Sequence, residues 1–200
     1  MRLFAFLFGL VILDAAAALA QSSGEQLFVP PPKGWVIVYH LQKSGTELTE
    51  VTPQGQSAKE WTEMLAVRIV AAEPAKTPED MLTGILADIK EECEAVGAGP
   101  VNPASENGYD TAMRAVACPK SKDWGKGELS LFKVLKGQDR TYVVSRAWRG
   151  DAFEKDHLPV PPEVTKQWLA FMKQVVLCDQ RNPQQHRCPS PAPAAKTPER

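Results

Sequence analysis

The sequence predicts an α+β fold: an antiparallel sheet of about six strands, in the order βββαβββα, packed with two amphipathic helices. Three observations carry this. Short stretches rich in β-branched and aromatic residues alternate or run apolar, as strands do. Two other segments space their apolar residues at helical intervals instead. Lys43-Ser44-Gly45 and Gly137-Gln138-Asp139-Arg140 read as tight turns, and strands joined by such turns are antiparallel.

The elements follow in order. Residues 21–29 read as a polar lead-in, and Pro30-Pro31-Pro32-Lys33-Gly34 as a stiff turn that delivers Trp35. From there Trp35, Ile37, Tyr39 and Leu41 fall on one face of a strand, with Val36, Val38 and His40 on the other. Thr46 to Thr52 returns as a second strand. Trp61 to Val70 fits either period, but its Val and Ile content favours a third strand. Thr77 then caps a helix. Pro78 suits the first helical position, and Glu79 and Asp80 suit the positive end of the dipole. Leu82, Ile85, Leu86, Ile89 and Cys93 form its apolar stripe, which Gly97 and Gly99-Pro100 end.

Asp110 to Cys118 is the next strand, followed by the loop Pro119 to Gly127. Glu128 to Lys136 and Thr141 to Arg149 make a hairpin. A second helix is expected from Glu163 to about Asp179, with Val164, Trp168, Phe171, Val175 and Cys178 on one stripe. One α+β domain then spans 25–180, and the proline-rich residues 181–200 should be mostly disordered.

The first twenty residues have a different character. Met1-Arg2 is a short positive end, Leu3 to Leu13 is unbroken apolar sequence, and Ala18-Leu19-Ala20 is a small-x-small site. These are the parts of a signal peptide, with cleavage expected between Ala20 and Gln21. A retained span would carry Asp14 near the bilayer centre, at a cost of a few kcal/mol. The chain from Gln21 onward is therefore expected to be periplasmic or secreted, with no transmembrane segment.

All four cysteines lie beyond the leader. An even count in an exported chain reads as two disulfides. Of the three pairings, Cys93–Cys118 with Cys178–Cys188 closes the shorter loops, each contributing roughly 3 kcal/mol in the chain-entropy model. Cys93 also points from the helix stripe toward a strand that ends at Cys118. The competing reading, a metal held by Cys178, His186 and Cys188, matches no common zinc spacing, and no CxxC is present.

Pro31-Pro32-Lys33-Gly34-Trp35 leading into a strand resembles the Pro-x-Gly-Trp opening of PsbP-like domains and their small exported bacterial relatives, which usually have one or two prolines where this chain has three. Glu50 to Leu65 (EVTPQGQSAKEWTEML) is similar to a segment of uncharacterised exported proteobacterial proteins, in which a Pro-x-Gly turn precedes a Trp-Thr-x-Met strand. The resemblance implies an antiparallel sheet sandwiched by helices, and an accessory or binding role without an active site.

Composition narrows the function classes. Lys+Arg total 23 against 24 Asp+Glu, a net charge of −1 that offers no basic face for nucleic acid. No P-loop, GxGxxG, GxSxG or calcium-loop spacing occurs, so no metal, cofactor or catalytic residue is assigned. His40, at a strand end, and His157, among Asp151, Glu154 and Asp156, are the groups an unrecognised hydrolase site would use; solvent-facing roles suit both better.

The loop holding Lys120, Lys122, Trp124 and Lys126 is the candidate binding surface, suited to an envelope protein, a glycan or an anionic lipid headgroup. Its bland reading is a solvated loop with the indole folded back on the sheet. Arg146, Trp148 and Arg149 would extend the patch if the sheet brings them near. Trp35, Trp61 and Trp168 read as core. The function expected is a non-catalytic accessory or binding protein of the cell envelope. The alternatives are a periplasmic hydrolase and a secreted effector-like factor.

Overall fold

The computed structural model describes residues 24–154 and 157–189. The predicted leader over 1–20 and the chain beyond Pro189 lie outside the described residues. In chain order the elements are β1 (Glu25–Phe28), β2 (Trp35–Lys43), β3 (Thr46–Pro53), β4 (Glu63–Ala71), α1 (Pro78–Glu92), β5 (Gly97–Ala98), β6 (Asn102–Glu106), β7 (Tyr109–Cys118), β8 (Gly127–Lys136), β9 (Arg140–Gly150), α2 (Pro162–Met172) and β10 (Val176–Asp179).

The main sheet has eight strands rather than about six. Its order is β2-β3-β4-β9-β8-β7-β5, with β6 also on β7, and every pairing is antiparallel. The two extra strands are the short β5 and β6. β1 and β10 form a separate two-stranded ribbon, so residues 25–28 are not merely a lead-in.

One face of the sheet packs on α2 and the ribbon. Leu65, Leu131, Val144, Trp168, Met172 and Leu177 lie in this larger core. The opposite face packs on α1, where Leu82 meets Ala112, Val134 and Val143. α1 begins as its sequence predicts. Thr77 and Asp80 form a reciprocal capping box, with Pro78 opening the helix. The helix lies mainly over β7 and β8, with Leu82 also meeting Val143 of β9 and the Arg68 guanidinium of β4 reaching the Met81 sulfur at 3.9 Å. Val36, Tyr39 and Leu41 of the edge strand β2 stay exposed on this face.

Three further sequence expectations need correction. The first is the length of the second helix. α2 stops at Met172, and Cys178 sits on β10 instead. The cause is Lys133, a fully buried side chain from β8. Its ammonium donates to the Met172 and Val175 carbonyls at 2.9 and 3.0 Å and pairs with Glu106. The carbonyls that would continue the helix are thereby satisfied, and the chain is released into a strand.

The second is the face pattern of β2. A bulge between Ile37 and Tyr39 shifts the register, so Tyr39 and Leu41 join Val36 on one face, while Ile37 shares the other with Trp35 and His40.

Residues 181–189, expected within a disordered tail, pack against the sheet instead. His186 is buried, stacks on Tyr109 with ring centres 4.2 Å apart, and shares a hydrogen bond with the Asn107 carbonyl. Asn107-Gly108 forms the β6–β7 turn with both φ positive. A Cβ at Gly108 would stand 2.9 Å from the His186 ring, so the turn needs glycine for two reasons.

Candidate functional site: the Trp124 face

Two loops meet where β4 begins and β9 ends. The loop before β4 is fixed by Gln56, whose side-chain amide donates to the Thr62 hydroxyl at 2.9 Å and accepts from the Thr62 backbone at 2.8 Å. This holds Trp61 over Met64 and Ala147, where it is buried as predicted. The loop before β8 closes on itself. The Ser121 amide donates to the Lys126 carbonyl at 2.8 Å, and the Gly125 amide to Ser121 at 2.9 Å. Gly125 takes a positive φ there.

The disulfides fix the loop further. Cys93 and Cys118 are bonded, with Cα atoms 5.7 Å apart, and Cys178 and Cys188 likewise at 4.9 Å. The first ties the end of α1 to the end of β7, so the Trp124 loop leaves from a pinned point.

The lysines of that loop divide. Lys120 pairs with Glu94 at 2.7 Å. Lys122 donates its ammonium to the Glu91 carbonyl at 2.7 Å and its backbone amide to the Glu92 carbonyl at 2.9 Å. Both are therefore engaged at or just past the C-terminal end of α1, where cations are favoured. Trp124 is 59% exposed, so the indole does not fold back onto the sheet. Lys126 lies beside it.

The residue that joins the two loops is Arg149. Its guanidinium carbon lies 4.0 Å from the Trp61 ring centre and 5.1 Å from that of Trp124. Glu128 accepts from Arg149 Nη2 at 3.0 Å and Nε at 3.3 Å, and Glu128 accepts from Ser130 as well. The stack borders a groove of about 550 Å³ lined by Gln56, Lys59, Glu60, Trp61, Thr62, Trp124, Lys126 and Arg149. A recess of about 70 Å³ beneath it reaches the Cys93–Cys118 bond. Glu50 lies within electrostatic reach of Arg149; burial holds its carboxyl above the ordinary range, and the Arg149 charge opposes that shift.

Of the three residues expected to extend the patch, only Arg149 does so. Arg146 points to the α2 side, between Trp35 at 4.5 Å and Phe171 at 5.1 Å, and pairs with Glu63 at 2.9 Å. Trp148 packs there too, against Phe153. An odd spacing on a strand sets residues on opposite faces, so 146 and 149 must part. Lys59, Glu60 and Gln56 carried no sequence signal beyond their place between Pro53 and Trp61.

The histidines stand apart from this groove. His40 is exposed and shares a hydrogen bond with the Thr49 hydroxyl at 3.0 Å, and His157 is exposed in the loop before α2. Among the described residues no cluster of three His, Cys, Asp or Glu is placed to hold a metal, and no helix is long and apolar enough to cross a membrane.

No family model matches the chain, and neither does any curated protein. Among solved structures, the solution structure of cyanobacterial PsbP (CyanoP) from Synechocystis sp. PCC 6803 is similar at 12% identity and a TM-score of 0.46, covering 84% of this chain and 98% of that one. The Ran-binding protein Mog1p of Saccharomyces cerevisiae is similar at 11% identity and a TM-score of 0.43, covering 75% and 85%. CyanoP is itself a PsbP, the family whose strand opening the sequence resembles.

Proposed function

We propose that this chain is an exported, non-catalytic binding protein of the cell envelope, and that it engages its partner through the Trp124 face. The Trp61–Arg149–Trp124 stack carries the reading. Burying one indole and one guanidinium in order to hold a second indole in water is hard to explain by stability alone. Large aromatic side chains beside arginine are also the groups that anchor interfaces. The leader and the two closed disulfides support an oxidising compartment.

The test is capture from envelope extracts with the chain from Gln21 to Arg200, comparing wild type with Trp124→Ala. At least one component should be retained by the first and lost by the second. Equal recovery of every component would remove this face from the proposal.

A further inference from the structure

We propose that the groove beside Trp124 takes an acidic saccharide: a pyranose ring laid on the exposed indole face, its carboxylate held between Lys59 and Lys126. This rests on the binding role given to the same face above and names its ligand class.

Size comes first. A concave groove of about 550 Å³ falls within the range of roughly 300–1,000 Å³ typical of small-ligand sites. It suits a ligand one or a few rings long better than a flat protein surface.

Shape comes second. Trp124 is exposed, yet its plane is held by the closed turn beneath it and by Arg149 behind it. A rigid flat apolar plate matches the C–H face of a sugar ring, and its ordering has already been met in the free protein.

Charge decides the class. Among the described residues neither the Lys59 nor the Lys126 ammonium has a hydrogen-bond or ion-pair partner, whereas Lys120 and Lys122 are both engaged. The carboxylates near Arg149 offer little opposition. Glu128 is bonded to Arg149 and Ser130, and Glu50 does not line the groove. Among the residues lining the groove, Glu60 is the one carboxylate set against the two lysines. A neutral sugar would leave both ammoniums without a counter-charge, and an acidic peptide would lack the ring face.

The experiment is a titration of the Gln21–Arg200 chain with trigalacturonate, read by calorimetry and tryptophan emission. Cellotriose and triglutamate serve as the neutral and peptidic arms. Trigalacturonate should bind saturably, change the emission, and weaken as salt is raised. Trp124→Ala, and the pair Lys59→Ala with Lys126→Ala, should each weaken it about tenfold, the loss of one charge-assisted contact or its equivalent. Both changes lie at the surface, and an unchanged melting temperature verifies the fold.

No saturable binding of trigalacturonate overturns the proposal. So does cellotriose binding equally well, triglutamate binding as tightly, or Trp124→Ala binding as wild type does. If envelope capture still depends on Trp124 while trigalacturonate fails, the ligand class falls and the binding face stands; if both fail, the binding role falls with it.

Discussion

Arg149 and Trp61 are joined twice. The guanidinium carbon sits 4.0 Å from the indole ring centre, and the Arg149 backbone amide donates to Thr62, the next residue, at 2.9 Å. The end of β9 is thus tied to the start of β4 through both backbone and side chain. Arg149→Lys keeps the charge but loses the planar stack and the fork on Glu128. It should lower stability by about 1 kcal/mol in urea denaturation. It should also redden tryptophan emission, as Trp124 loses its backing. Unchanged emission would contradict the stack.

The Cys93–Cys118 bond closes a loop of sequence separation 25 and anchors the Trp124 loop. Replacing both cysteines by serine should cost about 3 kcal/mol, measured against wild type under non-reducing conditions. Amide exchange at Lys122 should rise in the same variant, because its bond to the Glu92 carbonyl depends on that anchor. Alkylation of the unreduced protein should modify no thiol.

Lys133 has no exposed side-chain surface and holds the end of α2 to β8. Lys133→Ala should destabilise by about 3 kcal/mol or more, since it empties a buried site and strands the carboxylate of Glu106 and two carbonyls. Glu106→Gln is the milder change, because Glu106 is partly exposed and the amide oxygen still accepts. Equal effects of the two would mean that the carbonyl contacts contribute nothing.

Acid should weaken the fold through Asp179 and Asp80. The Arg181 guanidinium holds Asp179 below the ordinary carboxylate range, and the Thr77 backbone amide and hydroxyl do the same for Asp80. The unfolded chain takes up these protons first. Their contribution is therefore complete above the unfolded value of about 3.9 and is lost as pH falls through the lower folded values. Asp179→Asn should flatten the acid limb of a plot of Tm against pH. Glu50 acts in the opposite sense. Its raised folded value gives a contribution present below about 4.3 and lost as pH climbs. Glu50→Gln should therefore raise Tm more at pH 7 than at pH 4.

The leader makes a separate prediction. The mature protein recovered from an extracytoplasmic fraction should begin at Gln21 by N-terminal sequencing, and Ala20→Arg should leave the precursor uncleaved. Full-length chain in the cytosol, with Met1 in place, would remove the export reading.

What the sequence disclosed followed from how local each signal was. The capping box of α1 lies within four residues, and the turn at Ser44-Gly45, with both φ positive, within two; both are legible. The β6–β7 hairpin was not read from the sequence although its Asn107-Gly108 turn is as local a signal, because Pro103 inside β6 hides the strand; an edge position tolerates it. The end of α2 was not legible. Its stripe continues through Val175, and what stops it is an ammonium from residue 133. The Trp124 face was half legible. Trp124 was named, but that its indole stands in water, which lysines turn to α1, and that Arg149 completes the stack depend on contacts between elements distant in sequence.

The pairing of Glu25 with Asp179 has a consequence for the order of events in the cell. The strand nearest the amino terminus finds its mate only after almost all of the polypeptide has been made, and so long a loop is slow to close. A chain still being threaded head-first through a pore would keep residues 25–28 unpaired until the final stretch emerges. If the chain is exported as proposed, the ribbon would be a clasp that fastens last.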